Sequence, residues 1–211
     1  MGNQDQILSL FPTPVMICSY PFDYSKELEW INKQECDKDN RHPTSGMGNR
    51  QSDDTFILDN VELRRVKTFI ETKLNNYMGS ICGSKAKLAI TQSWLNKAGK
   101  GESHHEHKHP NSMVSGVWYP LIDEKLPPIQ FKNDRQRDVE IVPDKYNNYN
   151  SITFMLPMKA GELILFPSNL PHSVPINASD KERISLSFNT WTKGNLGCMD
   201  RLTYLPFDKL I

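Results

Sequence analysis

The sequence predicts a mainly β fold with N-terminal helices: a jelly roll of short strands with two helices packed on one of its sheets. Three observations carry this. Apolar residues in the first 83 positions recur at helical spacing. From 84 to about 195 they fall in short alternating runs, and no repeat or linker divides the 211 residues. The chain therefore reads as one domain over 1–211, with helical support over about 1–83 and a jelly-roll core over about 84–195.

The elements follow in order. Gln6 to Tyr20 contains Pro12 and Pro14, which remove backbone donors, so it reads as extended chain and an edge strand. Asp23 is placed to cap a helix running to about Asp37, with Leu28 and Ile31 on one side. Residues 38–55 are polar, with Pro43, Gly46 and Gly48, and read as a loop. A second helix starts at an Asp59 or Asn60 cap. It carries Leu63, Val66, Ile70, Leu74 and Tyr77 in steps of three and four and ends at Gly79. That stripe reads as a packing surface against a sheet.

Strands follow. Lys87 to Asn96 places Leu88, Ile90, Gln92, Trp94 and Asn96 on one face. Met113–Tyr119, Ile129–Phe131, Ile152–Leu156, Leu163–Phe166 and Ser173–Ile176 are further strands. Arg183–Trp191 alternates most regularly, with Arg183, Ser185, Ser187, Asn189 and Trp191 opposite Ile184, Leu186, Phe188 and Thr190. Most of Asp123–Asn150 is polar and reads as a long inserted loop, either solvated surface or a lid.

Composition excludes several classes. Lys plus Arg and Asp plus Glu are 25 each, so the formal charge is zero, which argues against a general nucleic-acid binder. No apolar run approaches the roughly 20 residues of a membrane span. The first residues lack the basic and apolar regions of a signal peptide, and Gln6 stands where a myristoylation signal has Ser or Thr. Cys18, Cys36, Cys82 and Cys198 form no CxxC pair and read as free thiols. The expected location is cytoplasmic.

The chemistry centres on His104-His105-Glu106-His107-Lys108-His109-Pro110. On an extended backbone residues two apart point the same way, so His107 and His109 can face one metal ion, with His104 and Glu106 as a second pair on the opposite side. A histidine-rich tract alone is equally a surface segment. His172 alone reads as structural. Arg183 and Ser185 share one face of their strand. A buried guanidinium needs an anion, and no acid alternates beside it, so its partner is a ligand carboxylate or a protein carboxylate elsewhere in the fold. A close pair of imidazoles, a distant third and Arg-x-Ser together have the form of a facial iron site beside a carboxylate pocket. Three protein ligands leave three octahedral positions for a bidentate keto acid and dioxygen.

Ser93-Trp94-Leu95-Asn96, Glu106 to Tyr119, Gly161 to Pro167, His172 and Arg183 to Asn189, with Leu10-Phe11-Pro12-Thr13-Pro14 near the start, resemble a family of 2-oxoglutarate- and Fe(II)-dependent oxygenases known from phages and marine bacteria, within the prolyl-hydroxylase-like superfamily. The resemblance spans most of the chain. It implies a double-stranded β-helix, the cupin-like form of jelly roll. By the same resemblance, His107 and His172 bind iron and Arg183 with Ser185 grips the distal carboxylate of 2-oxoglutarate, with Asn96 as a further cosubstrate contact. Trp94 and Tyr119 either wall the pocket or pack in the core. His109 stands where the wider superfamily has Asp or Glu. The third ligand is therefore His109, a water in its place, or Glu106 in a His104-x-Glu106 frame, and the residues after His109 fit the first of these.

The expected activity is that of an Fe(II)- and 2-oxoglutarate-dependent dioxygenase, a hydroxylase that couples decarboxylation of 2-oxoglutarate to succinate with substrate oxidation. Ascorbate is allowed as an adjunct. No protein general base is required and none is assigned. The substrate class is a small molecule or a protein side chain, without membrane or nucleic acid; oligomeric state is left open. Two rival readings are a three-histidine dioxygenase that does not use 2-oxoglutarate and a non-catalytic cupin-like binding module.

Overall fold

The computed structural model describes residues 5–40, 48–134, 139 and 141–209. Its strands are β1 (Met16–Ser19), β2 (Lys38–Asp39), β3 (Arg50–Gln51), β4 (Leu88–Ala98), β5 (His104–His107), β6 (Val114–Leu121), β7 (Ile129–Lys132), β8 (Thr153–Leu156), β9 (Glu162–Pro167), β10 (His172–Val174) and β11 (Arg183–Thr192). The helices are α1 (Ser25–Asn32) and α2 (Arg64–Ser80), with short 3-10 turns before α2 and near the C-terminus. The strands form two antiparallel sheets, a major one in the order β1-β9-β6-β11-β4-β3-β2 and a minor one in the order β5-β10-β7-β8. The expected double-stranded β-helix is thus present, as a mostly β molecule with few helices.

The major sheet is covered on both faces, which explains why β9 is apolar throughout rather than alternating: Leu163, Ile164, Leu165 and Phe166 are all fully buried. On one face the α2 stripe of Leu63, Val66, Ile70, Leu74 and Tyr77 packs with Leu95, Trp118, Leu163, Leu165 and the β11 trio Ile184, Leu186 and Phe188. On the other face Val117, Tyr119, Ile164 and Phe166 pack with Ile129 and Phe131 of the minor sheet. The alternation of β11 sends Arg183, Ser185 and Ser187 into this inner space, between the sheets.

Several local expectations are corrected. Helix α1 stops at Asn32 rather than Asp37, because beyond Ile31 no apolar residue continues its buried face; Lys33 and Gln34 close it with tighter bonds to Trp30 and Ile31. Asp23 accepts bonds from the Ser25 amide and hydroxyl, but Tyr24 occupies the cap position. Asn60 turns its amide back to Ile57 instead of capping α2, and α2 runs through Gly79 to Ser80. Within 38–55, β2 and β3 extend the major sheet past β4, so the first 83 residues supply strands as well as helices. Residues 41–47, with Pro43 and Gly46, lie outside the described residues.

Strand β4 does not keep one face from Leu88 to Asn96. Its register against β11 jumps between Gln92 and Ile90, leaving Thr91 as a β-bulge. The bulge swaps the faces. Leu88 packs in the helix-side core, whereas Trp94 and Asn96 line the cleft on the other side.

β6 crosses β11 at Gly116, opposite Phe188. A Cβ there would overlap the Phe188 ring and lie 2.8 Å from Leu165 Cδ2. Gly116→Ala is therefore expected to cost about 1–3 kcal/mol in denaturant unfolding. Gly79→Ala, with nothing within 4 Å of the added carbon, should be neutral or stabilising by up to about 1 kcal/mol, as helix propensity dictates.

Candidate metal centre

Between the sheets lies a small cleft lined by four histidines, Arg183, Asn96, three serines and the aromatic residues Trp94, Tyr119 and Phe166. The minor sheet supplies the imidazoles. His172 opens β10 and sits in register with His107 on β5, and His109 follows two residues later with its amide bonded to Ser168 O at 2.9 Å. One ligand atom from each of His107, His109 and His172 lies within 4.8 Å of the others.

The ring nitrogens are sorted by their neighbours. Nδ1 of His107 is 2.8 Å from the His105 carbonyl, and Nδ1 of His172 is 2.9 Å from the Leu170 carbonyl. A carbonyl only accepts, so Nδ1 carries the proton in both rings and each Nε2 keeps its lone pair. Nε2 of His109 lies 3.1 Å from that of His172 with the two rings nearly parallel. Two nitrogens at right angles on a metal about 2.1 Å away lie about 3.0 Å apart. The spacing and donor set therefore fit a metal ion held by imidazoles.

Electrostatics agree with that fit. Burial holds His172 down to about 3, with help from His107 and His109, and holds His109 down to about 4; His107 is lowered by the same cause. All three are neutral at pH 7, so protons do not compete for the lone pairs. In the metal-free protein a folded value below the usual 6.5 means that these groups lose stability as pH falls beneath 6.5.

Arg183 is 4% exposed. Its Nη1 donates to Ser185 Oγ at 3.3 Å, its Cζ lies 5.1 Å from the Tyr119 ring centroid, and its Nε has no partner. Among the described residues no carboxylate comes within ion-pair distance of it. The Tyr119 hydroxyl and Trp94 Nε1 are also buried without partners. Burial drives Tyr119 up to about 12 against the pull of Arg183, so its hydroxyl stays a donor. Asn96 also lines the cleft, but its carbonyl accepts from Asn49 and Gln51 and its amide donates to Ser187.

The structure does not bring Glu106 to the histidines. Glu106 is exposed and paired with Lys132 at 3.1 Å. Its supposed companion His104 instead faces the cleft, its ring 4.4 Å from that of His107, with Nε2 3.0 Å from Asn40 Nδ2. The cause is an irregularity in β5: two residues lie between His104 and His107, but only one lies between their partners Val174 and His172. Strict alternation therefore misplaces His104. Asn40 and Ser115 carry no motif beyond being small polar residues.

The profile of a family described as "Putative 2OG-Fe(II) oxygenase" matches residues 92–189, nearly the whole run from β4 to β11. No curated protein matches the sequence. Solved structures share the fold. The α-ketoglutarate-dependent epimerase SnoN of nogalamycin biosynthesis aligns with a TM-score of 0.60 at 14% identity, over 87% of this chain and 80% of that one. A prolyl-4-hydroxylase from Pseudomonas putida aligns with a TM-score of 0.59 at 12% identity, over 86% and 94%. HygX from Streptomyces hygroscopicus, with nickel, 2-oxoglutarate and hygromycin B bound, aligns with a TM-score of 0.57 at 10% identity, over 84% and 82%. The matched segment contains the three imidazoles and the buried guanidinium, and over it the chain is similar to the 2OG-Fe(II) oxygenase family.

Proposed function

We propose that His107, His109 and His172 hold Fe(II), that Arg183, Ser185 and Tyr119 receive the distal carboxylate of 2-oxoglutarate, and that the reaction is a hydroxylation. The observation that carries this reading is the buried Arg183 guanidinium. It shares a cleft with three convergent imidazoles and has no acidic partner among the described residues. A carboxylate would take up the free Nε–H of Arg183 and the Tyr119 hydroxyl together, removing two buried unsatisfied donors. Bound there, the metal and 2-oxoglutarate supply the oxidising chemistry, with decarboxylation to succinate coupled to oxidation of the substrate. The protein's own part is to present three neutral nitrogens, orient the keto acid between them and the guanidinium, and exclude water with the two packed sheets. Asn96 acts mainly through Ser187 and the β3 side chains.

A three-histidine dioxygenase without 2-oxoglutarate would need Arg183 engaged by a protein carboxylate, and none of those described reaches it. We take residues 1–211 as one catalytic domain. Its substrate is a small molecule or a protein side chain. Among the fold relatives are an enzyme with hygromycin B bound and a Trichoplax adhaerens prolyl hydroxylase in complex with a peptide fragment. Zero net charge disfavours nucleic acid. No helix among the described residues is long and apolar enough to cross a membrane, and four free cysteines fit a reducing cytoplasm.

Anaerobic loading with Fe(II) and 2-oxoglutarate should produce the weak visible charge-transfer band of the chelate; its absence at saturating concentrations of both would defeat the reading. His172→Ala should abolish metal binding in equilibrium dialysis. Arg183→Ala should keep the metal and weaken 2-oxoglutarate by about 10- to 100-fold, as loss of a charged hydrogen-bonded pair dictates. Unchanged cosubstrate affinity in that variant would remove the carboxylate assignment. Because all three imidazoles titrate below the usual 6.5, Ni(II) affinity should stay flatter between pH 8 and pH 6 than ordinary histidines would give, with His109 and His172 not competing for protons until about pH 4. Ligands of ordinary acidity would begin to weaken it near pH 7.

A further inference from the structure

Three hydrogen-bond donors lie buried in the cleft without a partner among the described residues: Nε of Arg183, the Tyr119 hydroxyl and Nε1 of Trp94. The proposed seat of the distal carboxylate uses the first two and leaves the third. Trp94 stands at the other end of the cleft. On β4 it pairs with Ser187, whereas Arg183, four residues earlier on β11, pairs with Ala98. That is a separation of roughly 13 Å along the strand. The indole lies against the His109 ring, with centroids 5.9 Å and planes 26° apart. It therefore belongs to the end where the imidazoles converge. Its neighbours there have spent their donors. His107 and His172 turn their Nδ1 protons to backbone carbonyls. Asn96, next on the same face of β4, donates to Ser187 and accepts from Asn49 and Gln51. An indole N–H can only donate, and leaving one buried and unpaired is costly.

We propose that the Trp94 indole N–H donates to the carboxylate that adjoins the keto group of 2-oxoglutarate, so that Trp94 binds the cosubstrate at the metal end as Arg183 binds it at the other. The inference rests on the keto acid occupying the cleft as proposed above. The match is chemical. A keto acid that meets a metal through its keto oxygen and one carboxylate oxygen keeps a second carboxylate oxygen free. That oxygen carries negative charge, and between two packed sheets it needs a donor from the protein. The described lining holds no acid that would repel it. Trp94 offers there an N–H that is both buried and unspent. The role expected of Asn96 as a further cosubstrate contact thus passes two residues back along β4, to a side chain whose donor is still available.

The test compares two ligands on the full chain loaded anaerobically with Fe(II). 2-Oxoglutarate reaches both ends of the cleft. Oxalate reproduces its metal end and lacks the distal carboxylate; its affinity is read by displacement of the visible band of the 2-oxoglutarate chelate. Trp94→Phe keeps an aromatic face against His109 and loses the N–H. It should retain Fe(II), weaken both ligands by about 10- to 100-fold, as loss of a hydrogen bond to a charged group dictates, and shift the chelate band. Arg183→Ala should weaken 2-oxoglutarate and leave oxalate unchanged. Wild-type affinity for either ligand in Trp94→Phe would overturn the proposal; an indole reserved for a substrate oxygen would leave both unchanged. Loss of Fe(II) in that variant would make Trp94 a support for His109 and overturn it as well. If Trp94→Phe does not fold, the N–H is followed in the wild-type chain, labelled with nitrogen-15 at tryptophan and loaded with Zn(II). Oxalate should move the Trp94 indole resonance, identified by its proximity to the His109 ring, downfield; an unmoved resonance overturns the proposal. Failure of the wild-type chain to bind 2-oxoglutarate at all would defeat the cosubstrate reading itself, whereas normal wild-type binding with an unaltered Trp94→Phe variant sinks this inference alone.

Discussion

The structure depends on a guanidinium buried between two sheets without an acid beside it. Arg183 begins the strand whose other face, Ile184, Leu186 and Phe188, anchors the helix-side core. Because side chains alternate along a strand, the packing that fixes those three residues also fixes Arg183, Ser185 and Ser187 on the inside. An uncompensated buried charge costs several kcal/mol, and an apolar residue at 183 would remove that cost. The position makes physical sense if an anion enters the cleft. The unpartnered Tyr119 hydroxyl and Trp94 Nε1 in the same lining point the same way: the cleft presents hydrogen-bond donors and lacks acids.

Two departures from regular β geometry complete the site. The bulge at Thr91 turns Trp94 and Asn96 from the face occupied by Leu88 to the face occupied by Arg183. The irregularity in β5 brings His104 to the same side as His107, while Glu106, adjoining His107, faces solvent and Lys132. Each inserts a residue without breaking the neighbouring ladder, so side chains are re-aimed while the core stays paired. Regular alternation from His107 would have turned His104 outward together with Glu106.

This explains how far the sequence could be read. The helix stripe from Leu63 to Tyr77 and the alternation of β11 are periodic, and burial follows period, so both were legible. The convergence of His172 with the 104–109 tract was legible through the order of motifs, although the two segments are 63 residues apart at their closest hydrogen-bonded pair. Bulges have no periodic signature; they interrupt the pattern that would reveal them, and so the faces of Leu88 and of His104 were misassigned. The ends of α1 and α2 were misplaced for another reason. Asp23 and Asn60 are good capping residues, but local hydrogen bonds, to Ser25 for Asp23 and to Asp54 and Ile57 for Asn60, take their side chains instead.

Replacing a carboxylate by His109 changes the charge balance of the whole cleft. Three neutral imidazoles contribute nothing to offset a divalent cation, and the lining holds one fixed charge, the positive Arg183. Held as proposed, a 2-oxoglutarate dianion would meet both demands at once, with one carboxylate toward the imidazoles and the other at the guanidinium. Occupancy of the two ends would then be electrostatically linked, the cation favouring the keto acid and the keto acid offsetting the cation more completely than in a site already holding a protein carboxylate. His109 and Arg183 are far apart in sequence yet solve one problem, because each leaves a charge unmatched that the same small molecule can match.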